Sequence, residues 1–331
     1  MKAFVTGATG FIGTRLVQRL VREGHEVNVL VRNPGDSKNF DSAGISVSFG
    51  DIFSVEKLKA GMEGCNWVFH LAAFVQPYSK DPGIPYKTNV EGTKNLLKAA
   101  RESGITKVIV TSTAGTMGYS RNGNAVDELT NIDPEYHTDY EKTKSICEKI
   151  SAEMSHNGMD VIIVNPSRVF GPGKLSKSNS VTKIMRLYGK GIWRIIPGDG
   201  TAIGNYAFID DVVNGHLLAA TKGKPGHRYI LGGENISFDE FFKTLGKAFG
   251  TDRKMIRVNA SSLRKIASFT GFFLDIAGKP PIITSNWIDK YLQNWSLSCN
   301  KAISELNYSI TPFGKATEET VKWLKSGKIN G

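Results

Sequence analysis

Short apolar runs alternate with amphipathic segments through the first half of the chain. Apolar residues recur at helical spacing in three of these segments, Phe11–Glu23, Val90–Glu102 and Tyr140–Met154. The apolar runs between them predict strands at residues 3–6, 27–31, 45–49, 67–71, 108–111 and 161–164. Strands that are apolar throughout are typical of a parallel sheet covered by helices on both faces. The pattern therefore predicts a doubly wound α/β fold.

The pattern changes after Pro166. The turn at 171–173 (Gly-Pro-Gly) and the Ser- and Lys-rich residues 174–180 indicate a loop. Beyond it we expect a helix at about 181–188 and a strand at 229–231. A further helix is expected after Ser237, because Glu240 follows three residues later and completes a capping box.

Composition adds few restrictions. Of the 331 residues 40% are apolar and 22% are charged, which is ordinary for a globular protein. No apolar run approaches the roughly 20 residues that span a bilayer, and the N-terminus lacks the features of a signal peptide. The three cysteines, Cys65, Cys147 and Cys299, are widely spaced and odd in number, so neither a disulfide framework nor a metal site is predicted. We expect a cytoplasmic location.

The net charge of +11 is the unusual feature of the composition. Such a balance suits a nucleic acid, an acidic membrane surface or an anionic small ligand. Here the lysines are spread along the whole chain, whereas nucleic-acid footprints cluster. We therefore expect a solvated basic surface and no nucleic-acid partner.

A glycine-rich turn joins the first strand to the first helix. Its sequence, Thr-Gly-Ala-Thr-Gly-Phe-Ile-Gly, covers residues 6–13. Small residues there let the backbone turn tightly and let a pyrophosphate approach the N-terminus of the helix. In a strand–turn–helix context this pattern predicts a Rossmann-type dinucleotide site.

Two units follow from these patterns. Residues 1–166, together with about 207–233, are predicted to form the Rossmann-type domain. Residues of about 167–206 and 234–331 are predicted to form a smaller, mixed C-terminal lobe for substrate. Because ligands of open α/β sheets bind at the carboxyl ends of the strands, the active site is expected between the two units.

The end of the second strand indicates which dinucleotide binds. NAD-binding sites carry a carboxylate there, about 20 residues after the glycines, for the ribose hydroxyl. This chain has Arg32 instead, with Lys38 nearby. A guanidinium can pair with a 2′-phosphate through two hydrogen bonds, which a carboxylate would repel. We expect NADP, as NADPH, with a surface arginine as the alternative reading.

Tyr140 and Lys144 lie four residues apart at the start of a predicted helix, and therefore on one face of it. A nearby ammonium group is expected to lower the pKa of the Tyr140 phenol and to allow proton exchange near neutral pH. Thr113, at the end of the fifth strand, could hold a substrate oxygen against that phenol. A lone Tyr-x-x-x-Lys pair is common on solvated helices, so this interpretation depends on the glycine turn upstream.

The combination resembles the extended short-chain dehydrogenase/reductase family, within the NAD-dependent epimerase/dehydratase superfamily. The resemblance covers nearly the whole chain. Besides the glycine turn and the Tyr/Lys pair, it rests on residues 50–51 (Gly-Asp), 70–73 (His-Leu-Ala-Ala), 89–93 (Asn-Val-Glu-Gly-Thr), 111–115 (Thr-Ser-Thr-Ala-Gly), 165–173 (Asn-Pro-Ser-Arg-Val-Phe-Gly-Pro-Gly), 208–212 (Phe-Ile-Asp-Asp-Val) and 305–308 (Glu-Leu-Asn-Tyr).

The resemblance implies catalytic roles for Thr113, Tyr140 and Lys144, with threonine at Thr113 where serine is commoner. Together with the positions above, the expected cofactor contacts are Gly7, Thr9, Gly10, Phe11, Ile12, Gly13, Arg32, Lys38, Asp51, Ile52, Leu71, Ala72, Ala73, Asn89, Thr111, Tyr140, Lys144, Pro166 and Val169. Each motif has a structural alternative: His70 could be a satisfied strand-end histidine, and Asp51 and Asn89 could be helix caps.

Departures from the family pattern favour a reductase. Dehydratases tend to carry an Asp-Glu pair after the catalytic hydroxyl, where this chain has Ala114 and Gly115. Sugar-nucleotide enzymes often place an arginine before the segment at 208–212; none stands at 204–207, although Arg168 or Arg194 could substitute. The resemblance to the dihydroflavonol-4-reductase-like branch implies NADPH-dependent interconversion of a ketone or aldehyde and an alcohol. The alternatives are a sugar-nucleotide epimerase with retained NAD(P) and, more distantly, a non-catalytic NADP-binding or RNA-associated protein.

A small apolar or aromatic carbonyl substrate is expected. Candidate substrate contacts are Phe74, Gln76, Tyr78, Met117, Tyr119 and Arg168. The apolar segment at 266–274 is expected to be a packed helix of the smaller lobe, with a pocket lid or membrane-surface helix as alternatives. We expect a monomer or a homodimer.

Overall fold

The computed structural model describes residues 1–76, 79, 81, 83–175, 178–265, 267 and 285–327. Its strands are β1 Lys2–Thr6, β2 Glu26–Val31, β3 Ile45–Phe49, β4 Trp67–His70, β5 Lys107–Thr111, β6 Val161–Pro166, β7 Arg168–Phe170, β8 Ile195–Pro197, β9 Ile203–Phe208, β10 Arg228–Leu231, β11 Glu234–Ser237 and β12 Ile256–Val258. Its helices are α1 Phe11–Arg22, α2 Val55–Met62, α3 Gly83–Tyr86, α4 Gly92–Glu102, α5 Asp139–His156, α6 Ser180–Gly189, α7 Ile209–Lys222, α8 Phe238–Phe249, α9 Ser285–Leu292, α10 Asn300–Leu306 and α11 Phe313–Lys325.

A seven-stranded parallel sheet forms the centre of the molecule. Its strand order is β10-β6-β5-β4-β1-β2-β3, so the chain starts in the middle and winds outward in both directions. The Rossmann-type fold expected from the sequence is confirmed. Thr6, His70 and Thr111 all end their strands at the same edge, which is where the predicted site lies.

Both faces of the sheet are buried, which explains why the strands are apolar throughout. On β5, Ile109 points into the core under α1 and α7, whereas Val108 and Val110 point into the core under α2 and α4. All three side chains are 0% exposed. Side chains alternate between the two faces of a strand, so a doubly covered strand needs apolar residues at every position.

Most predicted elements lie within one or two residues of their expected bounds. The Tyr140–Met154 helix begins one residue earlier, at Asp139, because the Thr138 side chain accepts the Glu141 N–H and Glu141 bonds back to Thr138 N. The Val90–Glu102 helix is longer than expected, since α3 and a π-helical turn at Lys87–Glu91 lead directly into α4.

The remaining strands form two small sheets. The first is three-stranded in the order β11-β9-β7, and the second pairs β8 with β12 in parallel. The sequence patterns did not predict β7, β9, α2 or α7. The division into two units stays a prediction. Within the described residues, no helix is both long enough and apolar enough to cross a bilayer.

Candidate active site

The glycine turn brings three backbone segments into contact. Gly7 has φ of +72°, and a Cβ atom there would lie 2.6 Å from Ala72 N. A Cβ at Gly13 would lie only 2.2 Å from the Gly7 carbonyl oxygen. Only glycine fits these two positions, since any side chain would force apart the end of β1, the first turn of α1 and the residues after β4.

The N-terminus of α1 is suited to bind an anion. Its N-cap, Gly10, makes no side-chain hydrogen bond, and the first turn carries no acidic residue. The helix dipole and the first amide groups are therefore left for a ligand, which fits a dinucleotide pyrophosphate. Thr9 and Ile12 are partly exposed on this turn, whereas Phe11 is buried.

Arg32 directly follows β2 and is exposed, as is Lys38 in the short 3-10 helix at Pro34–Phe40. Within the described part of the chain, neither takes part in an ion pair. Asp51, in contrast, uses Oδ1 to accept the Phe53 N–H at 2.8 Å, so it organises the turn before α2. Ile52 is buried against Gly92, where a Cβ would lie 2.3 Å from it.

His70 is a satisfied core histidine. Its Nε2 lies 3.1 Å from Thr93 Oγ1, which itself donates to the Asn89 carbonyl, so Nε2 carries the hydrogen. Its Nδ1 then accepts from Thr6 Oγ1 at 2.8 Å. Burial, with a smaller contribution from the Lys144 charge, lowers the pKa of His70 to about 3. The ring is therefore neutral and ties β1 to α4.

Two predicted cofactor residues use their side chains within the protein. The Asn89 side chain accepts from Phe74 N at 2.7 Å and donates to Thr143 Oγ1 at 2.8 Å, which joins the loop after β4 to α5. Thr111 Oγ1 lies 3.0 Å from His216 Nε2. Because His216 Nδ1 donates to the Val212 carbonyl, Thr111 is the donor in that bond. Contacts of these two residues with a cofactor stay a prediction.

Lys144 lies one helical turn after Tyr140 on α5 and is only 1% exposed. Thr113 caps the short helical turn that follows β5, and its Oγ1 accepts the Gly115 N–H at 3.2 Å. The Asn165 side chain, at the end of β6, donates to the Thr113 carbonyl at 3.1 Å. The hydroxyl segment and the ends of β5 and β6 are thus joined beside α5.

Glu148 is a site residue that the sequence interpretation missed. It lies four residues beyond Lys144 and is 6% exposed. Its carboxylate accepts from Ser112 Oγ, from Thr116 Oγ1 at 2.7 Å and from Asn165 Nδ2 at 2.6 Å, and Arg228 Nη1 lies 3.3 Å away. The one available signal was spacing, since Tyr140, Lys144 and Glu148 recur every four residues.

The titration of Tyr140 differs from the expectation. The structure raises its pKa above the usual value of a phenol, mainly through burial, with the charges of Cys147, Glu141 and Glu148 acting in the same direction. The expected lowering by Lys144 is therefore wrong for the protein alone. Burial also lowers the pKa of Lys144, and Cys147 and Glu148 partly oppose that effect.

Glu141, next to Tyr140, links α5 to the C-terminal part of the chain. It is 0% exposed, and its Oε1 lies 2.5 Å from Lys290 Nζ on α9. The same oxygen would be 2.8 Å from a Cβ at Gly115. From its place on α5, the Glu141 carboxylate thus contacts α9 and lies against the loop that carries Thr113. Glu141 and Lys290 are 149 residues apart in the sequence (290 − 141), so no local sequence pattern could reveal this pair.

The predicted substrate residues lie in different surroundings. Met117 is 5% exposed within the core, whereas the Tyr119 ring lies between His137 and Trp295 at centroid distances of 6.0 and 5.9 Å. Phe74 and Gln76 are partly buried on the loop after β4. Tyr78, and residues 266–274 except Ala267, lie outside the described residues.

Arg168 contacts the smaller sheet and α9. Its Nη1 donates to Tyr206 Oη at 3.2 Å, and its guanidinium lies 4.5 Å from the Tyr291 ring centroid. Pro166 is buried at the end of β6, and Val169 is partly exposed on β7.

A cavity of about 380 Å³ opens beside the segment that precedes α5. It is lined by residues 135–137 and by Arg264, Asp289, Leu292 and Gln293.

Comparisons with known proteins agree with this arrangement. The model of the NAD dependent epimerase/dehydratase family matches residues 3–232. A putative dihydroflavonol 4-reductase of Synechocystis sp. is 30% identical over 328 residues, which cover 98% of this chain and 94% of that protein. Cinnamoyl-CoA reductase 1 of Oryza sativa subsp. japonica is 31% identical over 74% of this chain and 75% of its own length. The crystal structure of gox2253 covers 99% of both chains with a TM-score of 0.83 and 29% identity.

The family match covers more than two thirds of the chain, and the reductases align along most or nearly all of it. The glycine turn, the buried lysine one turn from a tyrosine and the strand-end hydroxyl occupy the places that the sequence motifs predicted. The chain belongs to the NAD-dependent epimerase/dehydratase family, as an NAD(P)-dependent oxidoreductase acting on a CH–OH or carbonyl group.

Proposed function

We propose that the chain is an NADPH-dependent reductase that interconverts a ketone or aldehyde and the corresponding alcohol. The observation that carries the proposal is the buried Lys144 one turn from Tyr140, on a helix that Glu148 and Asn165 join to the segment of Thr113. A buried lysine one helical turn from a tyrosine, at the edge of a sheet proposed to bind a dinucleotide, supports a role in proton transfer rather than in stability alone.

The bound cofactor would supply the hydride, and the protein would handle the proton. Tyr140 would be the general acid during reduction. Burial raises the pKa of its phenol in the protein alone, so the proton is present before the reaction but is harder to release. Lys144 would orient the cofactor ribose and favour the phenolate that remains after transfer. Thr113 would hold the carbonyl oxygen, because its Oγ1 accepts from Gly115 and keeps its own hydrogen for another acceptor.

The choice of NADP over NAD is supported by the end of β2. Arg32 and Lys38 are exposed there, with no carboxylate directly after the strand. A 2′-phosphate would gain two cationic partners, whereas a ribose hydroxyl would find no acidic acceptor at Arg32. The other positions proposed to line the cofactor are those named from the sequence, from Gly7 on the turn to Val169 on β7.

A small apolar or aromatic carbonyl compound is the proposed substrate. Phe74 and Tyr119 offer partly buried aromatic surface near the ends of β4 and β5, and two relatives are named as reductases of dihydroflavonol and cinnamoyl-CoA. Such rings contribute apolar contact without requiring many polar partners.

The test is a fluorescence titration with NADPH and NADH, followed by a panel of aromatic and aliphatic ketones and aldehydes. We expect tighter binding of NADPH and a carbonyl-dependent loss of absorbance at the reduced nicotinamide band. A protein that purifies with bound NAD and oxidises no reduced cofactor with any carbonyl would contradict the reductase proposal. That result would favour the epimerases after which the matching family is also named.

A further inference from the structure

The small sheet of β8 and β12 carries an exposed apolar patch. Ile195 and Ile256 are direct neighbours in its parallel register and are 38% and 58% exposed. Ile192, three residues before Ile195, is 66% exposed. We call these three residues the isoleucine patch. Clustered aliphatic side chains on a surface, surrounded by polar groups, are typical of an interaction site.

Cationic side chains surround the isoleucine patch. A Cβ at Gly191 would lie 2.9 Å from Arg253 Nη1 and 3.9 Å from Arg194 Nη2, so both guanidinium groups flank the turn that carries Ile192. Lys190 and Lys254 are exposed at either side of it. This rim gives the apolar patch a positive border.

Among the described residues, most of the rim's positive charge has no acidic partner. Residues 190–195 and 252–257 hold five lysines and arginines against a single acid, Asp252. Of the five, Arg257 is paired with Asp239 at 2.9 Å. The Arg194 and Arg253 guanidinium groups donate to the backbone carbonyls of Gly191 and Gly189, which carry no full charge. In the part of the chain that the structure describes, Lys190, Arg194, Arg253 and Lys254 form no ion pair, so an anionic partner would find four available cations around an apolar centre.

We propose that the isoleucine patch and its cationic rim bind the surface of an anionic lipid bilayer. Transfer of isoleucine side chains from water into the interfacial region of a bilayer is favourable. Contact of lysine and arginine with the phosphates of anionic lipids is favourable as well. A nucleic acid would use the cations but would leave the isoleucines in water. The proposal does not depend on the catalytic assignment, because none of these residues belongs to the proposed active site.

The test is co-sedimentation of the full chain with vesicles of phosphatidylcholine, with or without one third phosphatidylglycerol. We expect binding to the anionic vesicles to exceed binding to the neutral ones by about ten-fold and to fall at high salt. The double variant Ile192→Ser/Ile256→Ser and the charge variant Lys190→Glu/Lys254→Glu should each lose most of this binding. The control is Leu129→Ser/Ile303→Ser, which removes apolar side chains that are 85% and 43% exposed elsewhere.

Several outcomes would overturn the proposal. These are no binding to anionic vesicles, equal binding to neutral ones, or an equal loss in the Leu129/Ile303 control. Light scattering adds a further one: a dimer that the isoleucine variant abolishes, without vesicle binding, would assign the patch to a second copy of the chain. The charge variant changes only exposed residues, so it keeps the test valid if the isoleucine variant fails to fold.

Discussion

Individual side chains at the proposed site are held by partners from distant parts of the chain. Glu148 receives hydrogen bonds from Ser112, Thr116 and Asn165, and His70 is held between Thr6 and Thr93. A buried carboxylate with three donors has little freedom to change its rotamer, so it fixes the neighbouring residues as well. The helix that carries Tyr140 and Lys144 is therefore held against the segment of Thr113 by side chains outside the proposed triad.

Replacing Tyr140 by phenylalanine tests the general acid directly. We expect kcat for carbonyl reduction to fall by about 10²–10⁴-fold, because the proton donor is lost, while NADPH affinity changes little. Steady-state kinetics and a fluorescence titration measure the two effects. Tyr136→Phe is the matched control, since its hydroxyl bonds only Ser145 among the described residues. Equal losses in both variants would argue against a catalytic phenol at Tyr140.

Replacing Arg32 by glutamate tests the choice of cofactor. The new carboxylate would repel a 2′-phosphate and accept a ribose hydroxyl, so the ratio of NADPH to NADH affinity should fall by at least about ten-fold. Equilibrium titration of both cofactors gives this ratio. Arg22→Glu, at the end of α1, changes the net charge equally and should leave the ratio near that of the parent. An unchanged ratio in Arg32→Glu would contradict the proposed phosphate contact.

At the scale of elements, α5 is in contact with several other parts of the proposed site, namely the segment after β5, the end of β6 and α9. Its first turn, which includes Tyr140, is fixed by the capping box, and the next two turns carry Lys144 and Glu148. The buried Glu141–Lys290 pair adds α9 to this group. Movement of α9 would therefore act on α5 through this ionic contact.

Lys290→Met tests that contact. The variant leaves the fully buried Glu141 without its cation, so we expect a loss of about 1–3 kcal/mol in the free energy of unfolding and a lower kcat. Urea unfolding and steady-state kinetics measure these effects. Lys94→Met breaks the exposed Lys94–Glu91 pair and should cost less than about 0.5 kcal/mol. Similar effects in the two variants would contradict a special role for the buried pair.

Gly13→Ala tests the glycine turn as a packing unit. The added Cβ would meet the Gly7 carbonyl at 2.2 Å, so the turn must shift, and we expect weaker NADPH binding by at least about ten-fold together with lower stability. Calorimetry of NADPH binding and thermal unfolding provide the readout. A Cβ at Gly314, on α11 and outside the proposed cofactor contacts, meets nothing within 4 Å, so Gly314→Ala is the control. Unchanged NADPH affinity in Gly13→Ala would refute the assigned pyrophosphate site.

At the scale of the whole molecule, two buried neutral histidines make stability depend on pH. Burial lowers the pKa of His70 to about 3 and that of His216 to about 4, from 6.5 in the unfolded chain. As pH falls below 6.5, these two histidines bind protons in the unfolded chain but stay neutral in the folded chain. The free energy of unfolding should then decrease by about 1.4 kcal/mol per pH unit for each histidine, down to its folded pKa.

Denaturant unfolding between pH 7.5 and pH 4.5 tests this dependence. The variant His216→Gln removes one of the two groups and should reduce the slope of stability against pH, whatever its effect on stability at pH 7.5. His156→Gln, at an exposed position near the end of α5, should leave the slope as it is. Identical slopes in the parent and in His216→Gln would show that this ring is not the source.

The fold was largely predictable because its central strands are apolar at every position, which is a recognisable sequence pattern. Residues such as Val108, Ile109 and Val110 are apolar in sequence since both faces of the sheet are covered. In contrast, β7 has only three residues and begins with an arginine, so Arg168–Phe170 gave no strand pattern. The bounds of α4 also escaped prediction, because a π-helical turn extends the helix at Lys87–Glu91.

The candidate site could be predicted only as far as local motifs reach. The glycine turn and the Tyr140/Lys144 spacing are local patterns, and the structure has both in the expected elements. The roles of Glu148 and Lys290 depend on partners such as Arg228 and Glu141, which lie far away in sequence. The pKa of Tyr140 was predicted in the wrong direction, because burial cannot be judged from spacing alone.

The edge strand β10 has a consequence for how the chain folds as it is synthesised. It pairs with β6, yet roughly sixty residues separate Pro166 from Arg228. At a translation rate of about 5–20 residues per second, β6 leaves the ribosome about 3–12 seconds before its partner. During that interval the nascent sheet has an open hydrogen-bonding edge along an apolar strand, which is a site for aggregation or chaperone capture. Slow translation across this segment would lengthen the exposure, and the arrival of residue 231 would end it.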